Sequence, residues 1–328
     1  MHSHRAHAAI DRSRIMPPSG FERAERLELL VRQARHRDSM LMFRPQGLAR
    51  ILERRAAGIG VPIFRSKEAE RLMVPARQFL YSLESQGISA PSGFVLMAGT
   101  LSSAKGRLNR RWEAAPGGIY MAVCFVPGLL SHRWDLYGPA FGLSIAQIFR
   151  EWGLSAEIRW LNDVLIGGKK AAGVLMEQVR LTGEEWILAG IGINVNQTSF
   201  SKELPWATSL LLETGRHFPE EALAADIIAR IGLNIALLHH WEAMLPDAVP
   251  DDHMDEEGLL PPGQEPPVIS AYRRLCGFLG KRVIYGQDAD RRPELTALAR
   301  DILPDGSLAL ELDDGSTIKA TTGEIRFF

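Results

Sequence analysis

Two adjacent glycines between strand-like apolar runs restrict this fold more than any other feature. Gly167-Gly168 separates residues 157–166 from residues 169–177. A two-residue Gly-Gly connection suits the primed hairpin turns, because both positions tolerate positive φ. The pair therefore predicts an antiparallel hairpin with Ile166 opposite Lys169, Leu165 opposite Lys170 and Asp163 opposite Ala172. Directly opposed residues point the same way, so Asp163, Leu165, Lys170 and Ala172 would share one face. Asp163 and Lys170 become diagonal neighbours roughly 7–8 Å apart at the backbone, close enough for long side chains to serve one substrate. Gly173 beyond them would let a ligand approach the backbone. The competing reading is an ordinary surface ion pair.

Around this hairpin the texture is mixed α/β. Residues 118–126 form an apolar strand with turn residues before it and Pro127 after. Residues 136–152 read as a buried helix closed by Gly153, and residues 186–195 as a strand punctuated by Gly190 and Gly192. Residues 247–270 are acidic and Pro-rich, with a spacing that fits no calcium loop, and read as a linker. Beyond it, residues 271–328 alternate short strands with turns such as Pro304-Asp-Gly306, which predicts a small antiparallel β-domain.

The net charge of -1 excludes a global positive field for nucleic acid, but the first 60 residues hold 12 Arg, no Lys and 6 acidic residues. They read as an Arg-rich helical extension, with Leu27, Val31 and Ala34 at helical spacing. A DNA-binding helix-turn-helix needs a recognition helix after a short turn. The sequence runs instead through Gly58 and Gly60 into Val61-Pro-Ile-Phe64, so DNA is not the expected partner. Neither terminus carries a run long enough for a membrane span, and the opening residues lack a secretory core. Two cysteines build no disulfide framework, so a reducing, cytoplasmic setting is expected. Cys124 sits within a strand and reads as core, and His239-His240 lacks partners at zinc spacing.

Chemistry concentrates in a second segment, Lys105-Gly-Arg-Leu-Asn-Arg-Arg-Trp112. Four cations within eight residues, flanked by Ser102 and Ser103, could fold around phosphate oxygens, with Trp112 stacking on a base. A basic surface loop is the alternative. Being exposed, self-repelling and poor in contacts, residues 104–111 are expected to be mobile without ligand.

The basic loop, Pro116-Gly-Gly-Ile-Tyr120, Arg159-Trp-Leu-Asn-Asp163, Lys170-Ala-Ala-Gly173 with Glu177, Gly190-Ile-Gly-Ile-Asn194 and Ala207-Thr-Ser-Leu210 occur in that order. Together they resemble the biotin protein ligases, from about Val61 to Phe328. Leu279-Gly-Lys-Arg-Val283 and Gly323-Glu-Ile325 are similar to that family's C-terminal end. The resemblance implies an α+β fold: a central mixed β-sheet flanked by helices, of the class II synthetase-like biotin/lipoate ligase type. It places the catalytic domain at residues 61–246 and an SH3-like small β-domain at the C-terminus. It also implies ATP with Mg2+, biotin as substrate, and transfer of the acyl group to a lysine of a biotin carboxyl carrier-type domain. A homodimer is compatible with it. Lys170, Asp163 and Arg107 fall on catalytic positions. Lys105, Gly106, Arg110, Trp112, Asn162, Gly173 and Asn194 fall on nucleotide positions, and Leu101, Ser102, Ser103 and Ala104 on the acid pocket.

The departures are as informative. Ala104 and Asn109 stand where the family loop has glycine, and Lys105 lacks the bidentate fork of Arg. The family's Ser-Thr-Asn helix start, which bonds the biotin ureido ring, aligns with Pro75-Ala-Arg77, and its pocket glutamine with Leu101. Losing such partners weighs heavily on specificity. A more apolar acid such as lipoate or octanoate, a non-catalytic binding descendant, and a ligase that is also a repressor are the competing readings.

Overall fold

The computed structural model describes residues 15–44, 46–245 and 265–327. Its centre is an eight-stranded mixed sheet. In chain order the strands are β1 (Glu22–Arg23), β2 (Ile63–Ala69), β3 (Phe94–Leu101), β4 (Gly118–Phe125), β5 (Ala156–Arg159), β6 (Asp163–Ile166), β7 (Lys169–Leu181) and β8 (Glu184–Asn194). Their spatial order is β1-β2-β3-β4-β8-β7-β6-β5. β2 and β3 pair in parallel, and the neighbouring pairs are antiparallel. A parallel pair needs a crossover, and helix α3 (Met73–Ser85) supplies it.

Each face of the sheet has its own cover. Ala76, Phe79, Leu80 and Leu83 recur on one side of α3 and pack on Leu96, Ala122, Cys124 and Leu188. On the opposite face, Met121, Val123, Ile191 and Ile193 meet helices α4 (Tyr137–Glu151) and α6 (Glu220–Ala243), with the short α5 (Leu210–Thr214) between the two in the chain. Each large aliphatic side chain so covered contributes about 1.5–3 kcal/mol. Cys124 is fully buried, as its strand position suggests, and burial pushes its thiol well up from the ordinary range. α6 is apolar and long enough to cross a membrane by composition, yet 78% of its most apolar stretch is buried in the protein.

The Arg-rich start is knitted into this layer. α1 (Glu25–Met42) and α2 (Gln46–Ala56) lie on α6, and β1 extends the sheet edge beside β2. Beneath α1, the buried Arg230 of α6 donates to Asp38 at 2.8 Å and also meets Glu151 at 2.8 Å. His239 hydrogen-bonds the Tyr137 hydroxyl at 2.7 Å. Residues 1–14 of the expected extension, and the expected linker up to residue 264, lie outside the described residues. Helix α7 (Pro267–Arg273) follows, burying Val268, Ile269 and Tyr272.

The C-terminal strands β9 (Arg282–Gly286), β10 (Leu295–Ile302), β11 (Leu308–Glu311), β12 (Thr317–Ala320) and β13 (Glu324–Arg326) form an antiparallel sheet ordered β12-β11-β10-β9-β13. Its Val283, Leu308, Leu310 and Ile325 join the same core as α4 and α7.

Two expectations about the hairpin need correction. Residues 157–166 are not one strand: β5 and β6 fold back on each other, with Arg159 opposite Asp163. The Trp160–Leu161 peptide within that turn is cis. The Gly167-Gly168 turn is present, with φ of 57° and 76°. Ile166 faces Lys169 and Leu165 faces Lys170 as expected, but the register then shifts. Val164 pairs with Ala172, and Asp163 with Gly173. Ala171 is the extra residue of a β-bulge, which moves Ala172 off the Asp163 face and into the core.

Candidate functional site

The bulge sets a row across four strands. Asp163 on β6 faces Gly173 on β7, Gly173 faces Gly192 on β8, and Gly192 faces Tyr120 on β4. Two glycines in mid-row leave a floor without side chains, and the Trp112 indole lies on it. A Cβ at Gly192 would come within 2.6 Å of that ring, and one at Gly173 within 3.0 Å of Lys170. Lys170 Nζ stands 5.2 Å from the Trp112 ring centroid and 2.5 Å from Asp163 Oδ1. Lys170 is fixed by its backbone too: its N–H donates to Trp206 O at 2.7 Å and its carbonyl accepts from Thr208 at 3.0 Å.

Arg159 closes the cluster, donating to Asp163 Oδ2 at 2.6 Å. Burial alone would push the Asp163 carboxyl up, but Lys170 and then Arg159 outweigh it and hold the pKa down to about 2. Asp163 is therefore a fixed negative charge at neutral pH. The turn carrying it is held from outside, since Trp160 Nε1 donates to Gly306 O at 3.1 Å and the Tyr272 hydroxyl to Leu161 O at 2.8 Å. Asn162 exchanges hydrogen bonds with the backbone of Val174.

Two buried polar atoms here lack a partner: the Trp112 indole N–H and Asn194 Oδ1. Asn194 is 3% exposed, and its amide N–H donates to Thr208 O at 2.9 Å. Buried groups left unpaired at one place mark where a ligand would complete the hydrogen bonding.

The basic loop arches beside this floor. Gly106 N donates to Arg110 O at 2.9 Å and Trp112 N to Ala104 O at 3.0 Å, so the loop is a tight closed turn. Leu108 and Asn109 adopt φ of 54° and 58°. Asn tolerates that left-handed region better than Leu, which explains why the loop keeps its curl at the missing glycine. The expectation of a loop with few contacts is overturned. Arg107 donates to Gly323 O at 2.9 Å, and Arg110 meets Glu324 at 2.8 Å and Asp288 closely. Lys105 stays exposed.

Arg107 and Asn162 also line a cleft of about 320 Å³, whose far wall is Asp305, Ser307 and Thr322 of the C-terminal sheet. The expected acid-pocket residues separate from this centre. Leu101 pairs with Ala114, while Ser102 and Ser103 donate backbone hydrogen bonds to Ala69 and Glu70. Leu101 and Ser102 line an open depression with Glu68 and Glu70, and Ala104 is buried. Two residues of α3 take part instead: Met73, which the sequence reading did not single out, and Arg77, named there only as a departure. Met73 Sδ lies against Gly190, and Arg77 of α3 pairs with Glu177 of β7. Only the motif position of Glu177 hinted at that pair. Among the described residues no group of three or more His, Cys, Asp or Glu could hold a metal.

Fold and site together define an α+β protein with a Lys170–Asp163 pair on a glycine floor covered by Trp112, beside a cleft at the seam of two sheets. The sequence model of the biotin/lipoate A/B protein ligase family matches residues 86–196. The bifunctional ligase/repressor BirA of Bacillus spizizenii is 32% identical over 146 residues, 43% of this chain and 45% of that relative. The chain thus spans less than half the length of that relative. The biotin–[acetyl-CoA-carboxylase] ligase of Mycobacterium tuberculosis is 27% identical over 244 residues, 71% of this chain and 78% of the relative. In structure, the biotin protein ligase from Aquifex aeolicus in complex with biotin and ATP superposes with a TM-score of 0.61 at 21% identity. The match covers 80% of this chain and 97% of that one, and shows a shared fold.

Proposed function

We propose that this chain is an ATP-dependent ligase. It activates biotin, or a related carboxylic acid, as the acyl-adenylate and transfers the acyl group to a lysine of a carrier protein domain. The observation that carries this reading is the Lys170–Asp163 pair at 2.5 Å beside the Trp112-covered glycine floor. In the first step a carboxylate oxygen bonds to the α-phosphorus of ATP and the bond to pyrophosphate breaks. Lys170, Lys105 and Arg107 supply positive charge for the crowded oxygens. In the second, the carrier amine attacks the acyl carbonyl, AMP leaves, and the amine gives up a proton.

The residues present fit a nucleotide. The Trp112 indole, seated on Gly173 and Gly192, offers a flat face, while Trp112 Nε1 and Asn194 Oδ1 offer an unused donor and acceptor. Mg2+ would arrive with the ATP phosphates and offset their charge. With its pKa near 2, Asp163 is a poor base, so its part is to hold Lys170 and orient the incoming amine. The cleft between the sheets offers the carrier lysine a route to the site.

A second acid is favoured by specific observations. Ala76 is fully buried and Met73 covers Gly190, on the side where the resemblance calls for ureido partners. That apolar surface suits lipoate or octanoate. Pyrophosphate release measured with biotin, lipoate and octanoate in turn tests both readings. Release with biotin supports the leading one, and release only with another acid overturns it. A repressor role for residues 1–60, prompted by their Arg-rich composition, would appear as strongly salt-dependent DNA binding.

A further inference from the structure

The resemblance assigns Arg110 to the nucleotide, but its surroundings are carboxylates. Its guanidinium donates to Glu324 Oε1 at 3.1 Å and Oε2 at 2.8 Å, contacts Asp288 and stands 3.7 Å from Asp290. These acids come from the turn after β9 and from β13, 178 and 214 positions along the chain. With three of its five N–H donors engaged and its charge met by carboxylates, this guanidinium has little left for phosphate. One turn earlier, Arg107 donates to Gly323 O and reaches into the cleft beside Asn162. The segment that receives it is rigid: the Tyr285 hydroxyl donates to Thr322 O at 3.0 Å, and Gly323, at φ 105°, lies on the Tyr285 ring.

We infer that Arg110, Asp288 and Glu324 form a clasp by which the C-terminal sheet positions the basic loop over the cleft. Asp288 and Glu324 are then positioning residues acting through the loop, and Arg110 is the strut they grip. Arg107 is the cation they deliver to the phosphates. A loop ordered in advance saves the nucleotide the cost of ordering it. For its catalytic consequence this inference rests on the ligase reading, but the clasp itself can be read without turnover.

The experiment uses the full ligand-free chain and its R110Q, R110K and D288N/E324Q variants, with E324D as the charge-retaining control. Amide hydrogen exchange across residues 104–112 should run about tenfold faster in R110Q and in D288N/E324Q. It should stay near wild type in E324D, with R110K between. In ATP–pyrophosphate exchange, KM for ATP should rise about tenfold in both fast-exchanging variants with kcat little changed, and combining them should add nothing more. The inference is overturned if D288N/E324Q leaves loop exchange unchanged. It is equally overturned if that variant lowers KM while R110Q raises it, since the carboxylates would then merely compete with phosphate. If the wild type exchanges pyrophosphate with none of the acids, the ligase reading fails, and loop exchange still decides the clasp.

Discussion

Lys170 Nζ lies 2.5 Å from Asp163 Oδ1, and one extra residue in β7 decides what faces that pair. Without Ala171 in the bulge, Asp163 would lie opposite Ala172; with it, Asp163 lies opposite Gly173 and beside the ammonium of Lys170. The pair is thereby aligned with the glycine floor that Trp112 covers.

Removing Lys170 tests whether this alignment is chemical. Lys170→Ala should reduce adenylate formation by about a thousandfold, as expected for loss of a preorganised cation at developing charge. Pyrophosphate release per folded molecule checks it, with unfolding measured alongside because Asp163 then keeps only Arg159 as a partner. Unchanged release would take Lys170 out of the chemistry, and no release from either protein would make the chain a binding protein rather than an enzyme.

Asp163 predicts a pH dependence. Its folded pKa is lowered to about 2, below the unfolded value near 4, so its contribution to stability is present above about pH 4 and fades as pH falls toward 2. Asp163→Asn should remove that dependence. The gap in melting temperature between the two proteins should narrow through this window, and a constant gap would contradict it.

Gly192 has no room for a methyl group. Gly192→Ala would place carbon 2.6 Å from the Trp112 ring and force the indole off its seat. Nucleotide affinity should fall by about a hundredfold, in line with a displaced stacking surface. Trp112 emission and equilibrium ATP binding read the change, which Gly183→Ala, at an open turn, should not produce in affinity.

Arg230 predicts a stability effect far from the site. It and Asp38 are each 2% exposed. Arg230→Met leaves the Asp38 carboxylate buried with only Arg37 in contact, and should cost about 3 kcal/mol. Denaturant unfolding measures it, while activity per folded molecule should be unchanged.

Local chemistry made part of this legible in the sequence. The Gly167-Gly168 turn, the β4 and β8 strands and the buried α4 helix follow from turn residues and apolar runs. So does the grouping of Lys170 with Asp163. The bulge was not legible, because Ala171 and Ala172 are equally small and either could have been the unpaired one. Nor was the break between β5 and β6, since Trp160-Leu-Asn162 contains neither Gly nor Pro. The contacts of Arg110 were hidden for another reason: its partners follow a long acidic stretch, and no periodicity links residues so far apart. Leu101 and its serine neighbours were placed by alignment, while their pairing with the end of β2 is a tertiary matter.

The bulge carries a last consequence, for how this chain can vary. Its chemistry depends on which residue stays out of the ladder as much as on residue identities. Deleting Ala171 would leave Lys170, Ala172 and Gly173 opposite Leu165, Val164 and Asp163, whereas taking Ala171 into the pairing would reverse the inward and outward alternation along all of β7 beyond that point. In that second case charged Glu177 would turn toward α4, and Val174 toward the cleft. The pairing of Gly173 with Asp163 is therefore the relation to hold fixed when this hairpin is shuffled, grafted or redesigned.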